Sequence, residues 1–301
     1  MAGEKIPGTL NLVLLAGAIG IAAALLGIAS HAVSGWAVLA AALTFSYVNN
    51  TVFSLLHESV HGIFHENKTV NAFSGMLAAA MTPTGLTFQR VFHLSHHARN
   101  RTVDEQFDYF RPGDSRLLKR AQWYGILTGI YWVFLPLGCL VYLAAPWVFR
   151  LRALRSRDGL LGRQTGAAAM FAGLDRADRT RMRLEILFSA AFQVFLVLLL
   201  DLTFAGWLAC YAAFAINWSS LQYADHAFSP LDVKNGAWNL RVNRVVQWFF
   251  LNYHHHRAHH QHPSVPWIHL PRYVDFNEPR PSFLRVYLSM WLGPRPLPRD
   301  A

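Results

Sequence analysis

The sequence predicts an all-α, integral-membrane helical bundle with about four full spans, two re-entrant or interfacial elements and a cytoplasmic cap. Three observations predict it. The 301 residues are 53% hydrophobic with a mean hydropathy of +0.22, high for a water-soluble domain. Several apolar runs reach the roughly 20 residues that cross a bilayer at about 1.5 Å each. Most of the 15 histidines gather in four segments at the ends of such runs. Residues 1–301 read as a single domain.

Residues 9–30 are almost wholly apolar and form the first span. The run is too long for a signal-peptide core and lacks a clear cleavage site, so it reads as retained. Residues 35–56 form the second span. Ser46, Asn49, Asn50 and Ser54 interrupt it and should face the bundle interior. It runs straight into His57-Glu58-Ser59-Val60-His61. Residues 70–86 are apolar but short, and Pro83 and Gly85 break them, which predicts a partial element. That element delivers the chain to His93-Leu94-Ser95-His96-His97. Residues 123–149 are the second partial element, lying in the interface or re-entering at Pro136. Residues 184–200 and 202–221 are a tight pair of spans around Asp201. The cap, 222–301, opens near Asp225-His226, and its many prolines suggest an irregular path.

Topology follows from parity and charge. If every histidine segment lies on one side, the crossings between them are even in number. The pair at 184–221 supplies two, so 123–149 should supply none. Nine arginines against three aspartates in residues 150–183 agree, because a single crossing would send them to the far side. The histidine segments and both termini are therefore expected in the cytoplasm. A bacterial inner membrane is the expected setting. The net charge of +10 comes without a basic stripe interleaved with aromatics, which argues against nucleic acid. Cys139 and Cys210 are too few for a disulfide framework or an iron–sulfur cluster.

His57 and His61 stand at i and i+4 and share a helix face. His93, His96 and His97 stand at i, i+3 and i+4, and all three can point to one side of a helix. His256, His259 and His260 repeat that spacing within NYHHHRAHHQHP, residues 252–263. His226 ends the last span, with Gln222 one turn earlier. Neutral imidazole is the commonest metal-binding side chain, and four such segments on one membrane face point to metal. HESVH also matches the HExxH pattern of zinc proteases, with Glu58 as general base. That reading wants a distant aspartate, for which Asp232 is a poor candidate, and leaves the other histidines idle. A metal transporter would want its ligands near the bilayer midplane rather than at span ends.

HESVH, HLSHH and HRAHH, with the following Gln261-His262-Pro263-Ser264-Val265-Pro266-Trp267, resemble the histidine boxes of the integral-membrane fatty acid desaturase and hydroxylase superfamily. The resemblance covers roughly residues 35–270. It implies two irons held by His57, His61, His93, His96, His97, His256, His259 and His260, with O₂ as co-substrate and a lipid C–H bond as target. His226 resembles an additional ligand of that family, and Gln222 stands where some members place asparagine. Asn252-Tyr253-His254 resembles the family's lead-in to the third box, but two further histidines follow. Which of His254, His255 and His256 ligates is therefore open, and spacing favours His256. Asp104, Asp108, Asp225 and Asn252 are candidates for orienting imidazoles, on equal terms with a solvated-loop role. Fatty acyl desaturation is the favoured reaction by family frequency. Hydroxylation, carotenoid-type ketolation and oxidative decarboxylation to a terminal alkene stay open. No fused electron carrier is visible, so a separate ferredoxin-like or cytochrome b5-like donor with its reductase is expected. The arginines of 150–183 could dock an acidic donor or simply touch anionic lipid.

Overall fold

The axis of the fold is a 27-residue helix, α2 (Gly35–His61), antiparallel to α1 (Gly8–His31). These belong to a computed structural model that describes residues 4–155 and 167–298; residues 156–166 of the arginine-rich stretch lie outside the described residues. α2 stops at Gly62, whose left-handed backbone (φ +78°) turns its N–H onto the last carbonyls. The chain continues through α3 (Lys68–Met81), capped by the Asn67 side chain, and α4 (Leu86–Arg99). At 14 residues, α3 falls short of a crossing, as the 70–86 pattern predicts. A short strand, β1 (Tyr109–Phe110), pairs in parallel with β2 (Arg295–Pro296) and ties the loop after α4 to the end of the chain.

α5 (Arg116–Leu127) and α6 (Ile130–Ala144) follow, bent by 90° relative to each other. The bend corrects the expectation of a break at Pro136, which sits inside α6. It falls at Gly129, with φ +76°, where an added Cβ would meet the Ala215 carbonyl carbon at 2.7 Å. A proline removes one helical hydrogen bond, whereas a left-handed residue redirects the backbone, and here only glycine fits. After the turn at Pro146–Arg150 come α7 (Arg152–Arg155), α8 (Ala167–Arg176), α9 (Arg179–Leu200) and α10 (Phe204–Ala224). α11 (Arg244–Phe249), α12 (His256–Gln261) and α13 (Phe283–Met290) are short helices of the cap.

Among the described residues, α1, α2 and α9 are long and apolar enough to cross a membrane. α10 has the length, at 21 residues, but Asn217, Ser219 and Ser220 make it more polar, and it packs against α1 and α2. Val13, Ile21 and Ile28 on α1, and Leu184, Leu187, Val194 and Leu198 on α9, are half or more exposed. Such apolar faces suit lipid rather than water. The protein is a membrane protein on this architecture. The four long helices alternate in direction. His31 at the end of α1 meets the last carbonyl of α9, Leu200, at 2.9 Å. At the opposite end Asn11 near the start of α1 donates to Phe64 just beyond α2, at 2.8 Å. The histidine boxes gather at that second end.

Candidate metal centre

Two charged side chains fix the helix that carries the second box. Arg90 on α4 donates from Nε to the carbonyl of Val60 (3.0 Å) and from a terminal nitrogen to that of Ser59 (2.9 Å). Those carbonyls lie between His57 and His61. Glu185 on α9, 2% exposed, accepts from the backbone N–H (2.5 Å) and hydroxyl (3.0 Å) of Thr87. It supplies the N-terminal cap that Gly85, lacking a side chain, does not. α4, with His93, His96 and His97, is thus clamped to two longer helices.

His226 follows α10 directly, and its Nδ1 donates to the carbonyl of Gly236 at 2.9 Å. A Cβ on Gly236 would lie 2.2 Å from the Asp232 carbonyl oxygen and 2.3 Å from Arg101 Cγ, so that loop accepts only glycine. Arg101 itself is fully buried and paired with Asp108 at 2.7 Å. Asp108 also accepts the N–H of Phe228 at 2.6 Å. It fixes the loop after His226 and contacts no imidazole.

The nine histidines form two clusters among the described residues. In one, the ligand atoms of His57, His61, His93, His97 and His259 lie within 4.8 Å of one another; in the other, so do those of His96, His226, His256 and His260. The partition follows helix geometry. Residues at i and i+4 are about 40° apart around a helix, while i+3 and i+4 are about 100° apart. His57/His61, His93/His97 and His256/His260 therefore stay together, whereas His96 and His259 cross to the other cluster. Each trio can point to one side of its helix, yet the second and third boxes straddle both clusters. His97 and His260 stack along the seam, centroids 4.2 Å apart.

The donor set fits bound metal. His96 Nδ1 donates to Glu105 Oε2 at 2.7 Å, and His226 Nδ1 donates to a carbonyl. With neutral rings, both Nε2 atoms are then bare lone pairs, and they face each other at 3.1 Å. A cation between them removes that repulsion. In the other cluster Nε2 atoms approach at 2.8 Å (His61–His93), 2.9 Å (His93–His97) and 3.0 Å (His97–His259). Neighbouring ligands on bonds of roughly 2.1 Å have spacings of this order. Asp225 is fully buried and neither carboxylate oxygen has a hydrogen-bond partner. Its Oδ2 stands 3.5 Å from His256 Nδ1. A buried, unpartnered carboxylate is costly unless a positive charge is near. Burial, reinforced by neighbouring imidazoles, holds His93, His226, His256, His259 and His260 well below the ordinary imidazole value and His97 at about 2. They are kept in the neutral form that binds metal.

The remaining candidates lie around the clusters. Gln222 accepts the Tyr253 hydroxyl at 2.7 Å, and the Tyr253 ring stacks on His256 and meets His57 edge-on. Asn252 adopts a left-handed turn (φ +59°) and donates to the Trp267 carbonyl at 3.2 Å. His254 and His255 are buried against each other, ring centroids 3.9 Å apart, and belong to neither cluster. They precede α12 and sit opposite Asn239 and Leu240, while His256 begins the helix that faces the site. Asp104 also stands outside both clusters. Sequence reasoning missed Glu105, whose reach to His96 depends on the loop after α4 and leaves no periodic trace. It also missed the Trp267 backbone, which donates to Glu58 Oε2 at 3.1 Å. Glu58 thereby anchors the segment after the third box, and His57 and His61 have three further histidines beside them, unlike a zinc-protease site.

A profile of the fatty acid desaturase family matches residues 34–291, which include all nine cluster histidines. The chain belongs to the fatty acid desaturase family. No curated protein matches it. Membership makes this desaturase-family protein an oxidoreductase of lipids in a membrane setting, and together with the histidine clusters it points to a metal site, typically iron.

Proposed function

We propose that the two clusters bind two irons and that the protein uses O₂ and external electrons to remove two hydrogens from a fatty acyl chain. The observation that supports this reading is the pair of adjoining all-histidine clusters, five and four strong, buried or half-buried at one end of an apolar bundle. Bound iron supplies the oxidising power to break an unactivated C–H bond, which no side chain has alone. The chain's own residues set the conditions. Glu105 and the Gly236 carbonyl orient imidazoles from behind, and the Asp225 carboxylate lies beside His256. Tyr253 packs between His57 and His256, held by Gln222. The cavity touching His57, His256 and His259 is only about 10 Å³, room for a single water. Electrons come from a separate ferredoxin-like or cytochrome b5-like donor, and the histidines and both termini face the cytoplasm.

Expression in a host lacking the activity, with mass spectrometry of its lipids and hydrocarbons, tests the reaction. Loss of two hydrogens from an acyl chain supports desaturation. Gain of one oxygen instead assigns hydroxylation, and a new terminal alkene assigns decarboxylation. Metal analysis giving one zinc and no iron would sink the di-iron reading.

A further inference from the structure

A second cavity, about 200 Å³ in volume, lies away from the histidines, between the end of α6, the turn at Pro146–Arg150, α8 and the start of α9. Tyr142, Phe149 and Leu174 form its apolar side and belong to a separate hydrophobic cluster with Phe88 of α4. Arg150, Arg179 and Arg183 supply its charge. Arg179 and Arg183 are i and i+4 on the first turns of α9 and share a face. Among the described residues, the one acid in the lining, Asp175, is already shared by Arg150 (3.3 Å) and Arg155 (2.6 Å). The lining therefore carries an excess of positive charge. Its depth is marked by its neighbours. Trp147 at the rim is 62% exposed, and the exposed apolar face of α9 begins at Leu184, next to Arg183. Tryptophan, tyrosine and arginine at the end of an apolar helix face mark the headgroup level of a bilayer.

We propose that this cavity binds the phosphate of an anionic phospholipid, whose acyl chains lie along the exposed face of α9. Guanidinium groups recognise phosphate through paired, charge-assisted hydrogen bonds, and basic pockets between membrane helices take lipid headgroups. An electron-donor protein would need a broad open face, whereas a recess with an aromatic wall suits a small anionic group.

The test uses the full-length protein in detergent, titrated with phosphatidylglycerol, phosphatidylcholine or inorganic phosphate. Native mass spectrometry and the thermal midpoint report binding. Phosphatidylglycerol should add a bound lipid and raise the midpoint, with phosphatidylcholine weaker and inorganic phosphate without effect. Arg179→Gln with Arg183→Gln should weaken phosphatidylglycerol binding about tenfold or more, the scale of losing charge-assisted hydrogen bonds. Arg152→Gln with Arg176→Gln, exposed and outside the cavity, removes the same charge and should leave binding unchanged. Arg150→Gln is an independent variant should the α9 pair fail to fold. Equal loss in both pairs, or protection by inorganic phosphate alone, overturns the proposal. So does unchanged lipid binding in the cavity variants, including the case where they slow turnover with a donor protein and thereby mark a docking face.

Discussion

His96 and His97 are adjacent in the chain, yet they serve different clusters: His96 Nε2 meets His226 at 3.1 Å, and His97 Nε2 meets His259 at 3.0 Å. Exchanging either for alanine should therefore strip metal from its own cluster. We expect His96→Ala and His259→Ala, which lie in different clusters, each to lower bound iron and abolish turnover while the protein still inserts. Iron per chain and product formation are the measurements. Full activity in either variant would remove that residue from the ligand set.

The extra histidines before the third box give a second test. His254→Gln and His255→Gln should keep wild-type iron content, because both rings lie outside the clusters. Their burial implies a stability loss of about 1–3 kcal/mol, read as a lower thermal midpoint. His256→Gln should lose iron. If His255→Gln lost iron as well in a folded sample, the assignment of His256 over its neighbours would fail.

Glu105 and Asp108 are three residues apart and should behave differently. Glu105→Gln weakens the group that orients His96, so metal affinity or activity should fall about 10- to 100-fold with little change in folding. Asp108→Asn leaves Arg101 buried without its counter-charge, at a cost of about 3–5 kcal/mol. A thermal midpoint that drops for Glu105→Gln and not for Asp108→Asn would reverse these roles.

Acid should destabilise the metal-free protein. The ordinary imidazole value of 6.5 applies once the chain unfolds, while the folded values are about 2 for His97 and His254 and about 4 for His255, chiefly through burial. Below pH 6.5 the unfolded chain takes up protons that the folded chain refuses. This contribution is therefore complete above that pH and declines as pH falls toward the folded values, by up to about 1.4 kcal/mol per pH unit for each imidazole. Thermal midpoints of the chelator-treated protein between pH 8 and pH 5 check this. A midpoint that holds or rises with acidification contradicts it.

The helical fold, the membrane setting and the gathering of nine histidines were legible because each rests on a local property. Apolar length reports a span, and spacing along a helix reports which side chains share a face. His57 with His61 is readable in this way from two positions alone. Glu105 was not readable, because its approach to His96 comes from a loop path. Gly129 was not either: its role as the bend exists only through its contact with Ala215, far along the chain.

What the sequence determined by itself was the set of nine histidines that gather at one end of the bundle and the helices that deliver them. Which histidine belongs to which cluster was decided only by the tertiary structure. A helix places His96 and His97 about 100° apart, and that angle permits either a shared site or two separate ones. The choice was made when α4 was clamped between α2 and α9 by Arg90 and Glu185, setting one face toward His57, His61 and His259 and the other toward His226, His256 and His260.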